Sequence, residues 1–175
     1  LIETVTGPDM RTPYEAAEVG WICAKLVRST HKVRRGIGAA RQDVNVSVEG
    51  GTRVEIKGVP KITMIPLLTH NEAMRQWNLL RLREELKKRG ITPETFQTKD
   101  FDITSLIKKP HYVPLKNAVE NKLKIKCVLL KGFKDLLRWQ TQPDTYFSKE
   151  ISDRLRVIAC LTTIPNMINS DSRTD

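Results

Sequence analysis

The chain has 175 residues and carries 30 lysines and arginines against 20 aspartates and glutamates, a formal net charge of +10. Its hydrophobic content of 39% is enough for a core, and it has no apolar run of the roughly 18 residues that a membrane span requires. Its three cysteines are too few and too widely spaced for a disulfide framework, so we expect a reducing compartment.

The first predicted element is a helix that begins after Thr12. Thr12 and Glu15 form a capping-box pattern around Pro13, and apolar residues then recur every three or four positions to about Thr30. The stretch 23–41 holds six basic residues and no acid. That density favours a phosphate-rich partner, although a solvated surface would give the same pattern.

A β-hairpin is predicted over residues 43–57. Val44 and Val46 alternate with polar residues, and so do Val54 and Ile56 after two glycines. A three-residue loop opposes Val46 to Val54, whereas a two-residue loop would mix apolar and polar residues on each face. The polar face then pairs Asp43 with Lys57, Asn45 with Glu55 and Ser47 with Arg53.

This polar face has two interpretations. It is either the solvated side of an ordinary sheet or the floor of a cleft that binds a metal–phosphate group. The second interpretation rests on side-chain chemistry, because carboxylates suit Mg²⁺ and the cations of Lys and Arg suit phosphate oxygens.

A second helix is predicted downstream of the hairpin. Thr69 and Glu72 form another capping-box pattern, and the helix should run to about Arg89 with Gly90 as its stop. Residues 91–121 are weakly patterned and are interpreted as a crossover or a domain boundary.

The last third of the sequence predicts one strand and one helix. The strand runs from Lys122 to Leu129 and has one basic-leaning face. The helix should begin after Ser148 as its cap and continue through Leu161, with Ile158 on its inner face.

Two strings resemble the signatures of the GatB/GatE family of tRNA-dependent amidotransferases. The first is LIETVTGPD at residues 1–9. The second is RRGIGAARQDVNVS at residues 34–47, followed by RVEIKG at residues 53–58. The form of the second string is closest to the archaeal GatE branch of the family.

The resemblance implies an α+β fold in two domains. Residues 1–95 would be the later part of a cradle-like amidotransferase/kinase domain, 96–121 a linker, and 122–175 the start of an inserted aspartyl-tRNA-synthetase-like (GAD) α+β domain. Short strings at 130–133 and 159–170 resemble that insertion. Both ends of the sequence look like cuts through a longer protein, and the family's segment with a His and further glutamates of the metal site would precede residue 1.

The function that the resemblance implies is conversion of Glu-tRNA(Gln) to Gln-tRNA(Gln) in the cytoplasm. The enzyme would use ATP and Mg²⁺ to phosphorylate the tRNA-bound glutamate, and ammonia from a D-type glutaminase partner would displace the phosphate. The two kinds of subunit would form a heterotetramer with no membrane partner. A fragment of this length is expected to be inactive alone.

The resemblance also implies roles for individual residues. The catalytic candidates are Glu3, Arg41 and Lys57; the metal candidates are Glu3, Asp43 and Glu55; the ATP-binding candidates are Asp43, Asn45, Glu55 and Lys57; and the candidates for the tRNA acceptor end are Arg34 and Arg35. For the hairpin residues, a purely structural role in the strand ladder stays open. For Arg34 and Arg35, the alternative is that they simply lie in a solvated loop.

Two other functions stay open beside this one. A non-catalytic tRNA-binding module would use the charge and leave the carboxylates structural. A bacterial GatB-type subunit of an Asp/Glu-tRNA amidotransferase would lack the inserted domain, so residues 122–175 would pack as one more part of the cradle.

Overall fold

The structure is a computed structural model that describes residues 2–36 and 38–172. Leu1 of the first signature, Ile37 of the second and the last three residues lie outside the described residues. Within them the fold mixes helices with small two-stranded sheets, in agreement with the α+β class. The elements are, in chain order, α1 (Pro13–Ser29), β1 (Gln42–Val46), β2 (Val54–Val59), a 3₁₀ turn (Ile62–Met64), α2 (Ile65–Lys88), β3 (Thr98–Asp102), α3 (Val113–Glu120), β4 (Lys126–Leu130), β5 (Gln140–Gln142), β6 (Thr145–Tyr146) and α4 (Phe147–Ile158).

The chain divides into two compact units, and each is described by itself. The first runs to Leu80 and includes Thr141–Pro143, and the second comprises Arg81–Gln140 and continues from Asp144. The domain boundaries near residues 95 and 121 concern the family's modules and stay a prediction. Among the described residues, no helix combines the length and the apolar character needed to cross a bilayer.

Helix α1 begins as predicted, with Thr12 as its N-cap. Thr12 Oγ1 accepts the Glu15 N–H at 3.2 Å, and the Glu15 carboxylate accepts the Thr12 and Arg11 N–H groups at 2.9 and 2.7 Å. These backbone donors lower the pKa of Glu15, because they stabilise its charged form. The helix ends at Ser29, next to the predicted Thr30.

The β1–β2 hairpin has the predicted register over most of its length. Val46 is opposite Val54, and Val44 is opposite Ile56. The valine and isoleucine side chains therefore share one face, on which Val46 is buried and the other three are half-buried.

The hairpin departs from the prediction at its open end. The register shifts between Gln42 and Val44, so that Lys57 and Gly58 together lie across from Asp43. The predicted one-to-one pairing of Asp43 with Lys57 is therefore wrong. At the bulge Gly58 adopts a φ of +70° and donates its N–H to Asp43 Oδ1 at 2.7 Å.

Helix α2 begins earlier than the capping-box pattern predicts. It starts at Ile65 after the 3₁₀ turn, so Thr69 and Glu72 lie inside the helix and the predicted cap is wrong. Pro66 fits the first turn, where the helix does not need its N–H. The predicted end is confirmed, because the helix stops at Lys88 and Gly90 takes a φ of +71°.

Gln76 attaches α2 to the hairpin. Its side chain is 6% exposed. Its Nε2 donates to the Val46 carbonyl at 3.0 Å, and its Oε1 accepts the Val48 N–H at 3.1 Å, so it is the partner of one backbone group at the end of β1 and of one just beyond it. Gly51 permits this approach, since a Cβ there would lie 2.9 Å from Gln76 Oε1. The buried apolar residues of this unit are Val46, Val59 and Ile65.

The second unit contains a ribbon that the sequence predicts only in part. Strand β3 lies inside the segment interpreted as a crossover, and it pairs antiparallel with β4, with Phe101 opposite Cys127. Strand β4 begins at Lys126 rather than Lys122. Lys122 instead lies just beyond the end of α3, where it takes a φ of +53° and donates its N–H to the Val119 carbonyl.

Helix α4 also begins before its predicted cap. It starts at Phe147, and the Ser148 N–H donates to the Leu137 carbonyl. Ile151 and Leu155 are half-buried, but Ile158 is 77% exposed, so its predicted inner position is wrong. The buried apolar residues of this unit are Leu82, Leu136 and Leu137.

Candidate functional site

The polar face of the β1–β2 hairpin brings together four of the eight predicted site residues. Asn45 lies opposite Glu55 in the ladder. Arg53 Nη1 donates to Asn45 Oδ1 at 2.7 Å, and Lys57 Nζ lies 3.3 Å from Glu55 Oε2. Asp43 is exposed on the same face. The hairpin therefore presents acids, bases and an amide side by side, as the alternation predicted.

The bulge adds Arg41 to this surface. A Cβ at Gly58 would lie 3.9 Å from Arg41 Cδ, so the arginine stem runs along the bulge that Asp43 holds. Arg41 precedes β1 and is exposed. Arg41 thus lies beside the bulge at Gly58, and Lys57 directly precedes Gly58 in the chain.

The charges on this face are available to a ligand. Lys57 and Glu55 are 72% and 33% exposed in their ion pair. Exposed pairs of this kind are screened by water and contribute little to stability, so their partners can be exchanged at small cost. A phosphate group would accept charge-assisted hydrogen bonds from the same cations.

The carboxylates of the hairpin are of the chemical type that binds Mg²⁺. Within residues 2–36 and 38–172, no group of three or more His, Cys, Asp and Glu side chains is placed to hold a metal ion. Glu3 accordingly forms no such group with Asp43 and Glu55, and it is exposed in the segment before α1. Mg²⁺ commonly uses one or two carboxylates together with phosphate oxygens, and the hairpin can supply the carboxylates. The metal roles of these three residues stay a prediction.

Arg34 and Arg35 lie apart from the strands of the hairpin in sequence. Both are exposed in the connection between α1 and β1. An exposed basic connection is accessible to phosphates, and their role at the tRNA acceptor end stays a prediction.

A second charged site lies in the second unit, at residues that no sequence motif marked. It is an open cavity of about 380 Å³, which we call the basic cavity. The signal in the sequence was the adjacent Lys108 and Lys109, with Lys116 on the helix that follows. The cavity is lined by Lys108, Lys109, Pro110, His111, Lys116, Val119 and Glu120.

The comparison with protein families defines the class of protein. The model of the GatB/GatE catalytic domain matches residues 1–144, which include α1, the whole hairpin and α2. The chain therefore belongs to the GatB/GatE family, as the two signature strings indicated.

Curated relatives identify the branch of the family that this chain resembles. A protein from Pyrococcus furiosus, named as the E-type subunit of glutamyl-tRNA(Gln) amidotransferase, is 37% identical over 171 residues, which cover 98% of this chain and 26% of the relative. Proteins of the same name from Saccharolobus solfataricus and Sulfurisphaera tokodaii are 42% and 39% identical, each over 92% of this chain and 26% of the relative. The chain thus spans about a quarter of the length of the curated relatives it matches.

Proposed function

We propose that this chain is part of an E-type amidotransferase subunit that converts Glu-tRNA(Gln) to Gln-tRNA(Gln). The observation that carries the proposal is that the second family signature coincides with the mixed-charge face of the hairpin. The names of the relatives support the choice of substrate. The alternative of a bacterial GatB-type subunit has less support, because these relatives are of the E type.

The proposed reaction has two steps. The γ-phosphoryl group of ATP is first transferred to the side-chain carboxylate of the tRNA-bound glutamate. A free carboxylate is a poor acceptor for ammonia, because its charge repels the nucleophile and an oxide ion leaves badly. Ammonia then forms the C–N bond as the C–O bond to phosphate breaks, releasing inorganic phosphate. We propose that a D-type glutaminase partner supplies the ammonia within a cytoplasmic heterotetramer.

The hairpin residues have distinct proposed roles in this reaction. Lys57 and Arg41 would bind phosphate oxygens and offset the charge of the transferring phosphoryl group. Asn45 would hydrogen-bond the nucleotide once Arg53 moves aside. Release of Lys57 from Glu55 would make both side chains available at the moment of nucleotide binding.

Magnesium and tRNA complete the proposal. Mg²⁺ would supply additional positive charge to the phosphates, with Asp43 and Glu55 as its carboxylate ligands and phosphate oxygens as the others. Glu3 would be a ligand only if the segment before α1 moves towards the hairpin. Arg34 and Arg35 would contact phosphates at the acceptor end of the tRNA, because arginine forks match phosphate oxygens.

Calorimetric titration of the chain with Mg–ATP tests this function. Lys57→Gln should weaken Mg–ATP binding about tenfold, because a hydrogen bond to a charged group contributes about 1.5 kcal/mol. Lys61→Gln is the matched control, since Lys61 is also exposed but follows β2 outside the hairpin. Equal affinities of the two variants would contradict the proposed role of Lys57. Binding of tRNA without any binding of Mg–ATP would favour the non-catalytic tRNA-binding module.

A further inference from the structure

The basic cavity of the second unit has no part in the proposed phosphoryl transfer, yet its lining is suited to an anion. It presents three lysines and one histidine against a single carboxylate. With the histidine neutral, this is a formal charge of +2 within one concave surface of about 380 Å³. Like charges gathered in a concavity raise the local concentration of anions more than the same charges spread over a flat face.

The backbone around the cavity is ordered by hydrogen bonds on both sides. The turn before Lys108 is closed by the Ile107 N–H, which donates to the Ile103 carbonyl at 3.3 Å. The Lys116 N–H donates to the Tyr112 carbonyl at 3.0 Å as α3 begins. The lysines of the cavity therefore follow a closed turn or lie on a helix, which restricts the positions of their Cα atoms.

One carboxylate competes with an incoming anion. Glu120 Oε1 lies 3.9 Å from Lys116 Nζ, and both side chains are 60% exposed. A pair that long and that exposed is weak, so a phosphate oxygen can replace the carboxylate as the partner of Lys116.

The lining also indicates what kind of anion fits. Lysine ammonium groups are compact point charges that suit phosphate oxygens without demanding a planar, two-pronged ligand. Pro110 and Val119 add apolar surface beside the charges, against which a sugar can pack. The space exceeds a single inorganic phosphate and is of the size that accommodates a small organic ligand.

We propose that the basic cavity binds a phosphate of an RNA backbone together with its adjoining ribose. This makes it an RNA contact of the second unit, distant in sequence from Arg34 and Arg35. The inference rests on the proposed function in one respect, since tRNA is the RNA it names. Contacts to phosphate position an RNA without reading its sequence, so the cavity should contribute affinity rather than discrimination among tRNAs.

Fluorescence anisotropy of the chain with labelled tRNA over a series of salt concentrations tests the proposal. The triple variant Lys108→Gln, Lys109→Gln and Lys116→Gln should bind at least tenfold more weakly. The slope of log affinity against log salt should fall by about 1, the value for one lost phosphate contact. The matched control is Lys88→Gln, Lys131→Gln and Lys134→Gln, which removes the same charge from exposed lysines of the same unit.

A variant that is expected to strengthen tRNA binding excludes misfolding as the explanation of the weaker binding. Glu120→Gln removes the competing carboxylate and should bind tRNA about two- to threefold more tightly, a gain that damage to the fold would not produce. Tighter binding by this variant together with weaker binding by the cavity triple supports the proposal.

Three outcomes would overturn the proposal that the basic cavity binds RNA. Equal losses in the cavity triple and the control triple would show that only net charge matters. Unchanged tRNA binding by the cavity triple, with loss of AMP binding, would assign the cavity to a free nucleotide. No tRNA binding by the unsubstituted chain at low salt would also refute the inference, while leaving the Mg–ATP titration as a separate test of the hairpin.

Discussion

The β1–β2 and β3–β4 ribbons share an antiparallel construction and lie in opposite environments. In β1–β2, Val46 and Val59 are 6% and 3% exposed. In β3–β4, Val128 and Leu129 are 56% and 52% exposed, although they too belong to an apolar stretch of strand. Two strands alone bury too little surface to be stable in water. The first ribbon has buried valines on its apolar face, whereas Val128 and Leu129 of the second are more than half exposed.

The polar contacts of the two ribbons differ in the same way as their burial. Gln76 of α2 satisfies backbone groups at the closed end of the first ribbon from within a buried position. The second ribbon has a surface ion pair, with Lys126 Nζ 3.1 Å from Asp100 Oδ2 and both side chains more than half exposed. The family signature lies on the ribbon that is held by buried contacts, which is where a site needs a rigid support.

The largest effect should come from removing Gln76. Gln76→Ala leaves the Val46 carbonyl and the Val48 N–H without their partner in a buried environment, and we expect a loss of about 3 kcal/mol in the free energy of unfolding. Urea denaturation measures it. Gln97→Ala, at an exposed position, should change the stability by less than about 0.5 kcal/mol. If Gln76→Ala lost no more free energy of unfolding than Gln97→Ala, then Gln76 would not stabilise the contact between α2 and the hairpin.

A matched pair of valine substitutions compares the two ribbons directly. Val59→Ala removes two methyl groups from a buried site and should cost about 2 kcal/mol. Val128→Ala removes the same atoms from an exposed strand and should cost less than about 0.5 kcal/mol. Chemical denaturation of both variants checks the difference. Equal costs would show that the β3–β4 ribbon buries its apolar side chains as well as the first ribbon does.

The smallest effect concerns the surface pair of the second ribbon. The hydrogen bond from Lys126 and its positive charge lower the pKa of Asp100 in the folded chain. A lowered pKa stabilises the fold above the ordinary pKa of an aspartate, and this contribution disappears as the pH falls through the folded pKa. Asp100→Asn should therefore be slightly less stable than the unsubstituted chain at neutral pH and equal to it in acid. A stability difference that persists below the folded pKa would contradict this, and carbon NMR of the Asp100 carboxyl group reports that pKa.

Local sequence signals predicted those elements whose cause is local. The capping box of α1 and the glycine stop of α2 satisfy the ends of their own helices, so the residues that form them are neighbours in sequence. The hairpin register followed from alternation, because a slip of one residue would exchange its faces. The start of α2 was mispredicted, although Pro66 in its first turn is a local signal for that start. Glu72 lies inside the helix, where it accepts a hydrogen bond from Gln76.

The candidate site, too, has some features that the sequence predicts and others that only the tertiary structure shows. The sequence by itself determined the family, through two signature strings, and the types of side chain on the hairpin face. Only the tertiary structure decided that Gly58 forms a bulge onto Asp43 with Arg41 beside it. It also gathered Lys108, Lys109 and Lys116 around one cavity. Alternation and capping act between near neighbours and can be recognised in the sequence, whereas a bulge or a buried glutamine depends on where separate segments meet in space.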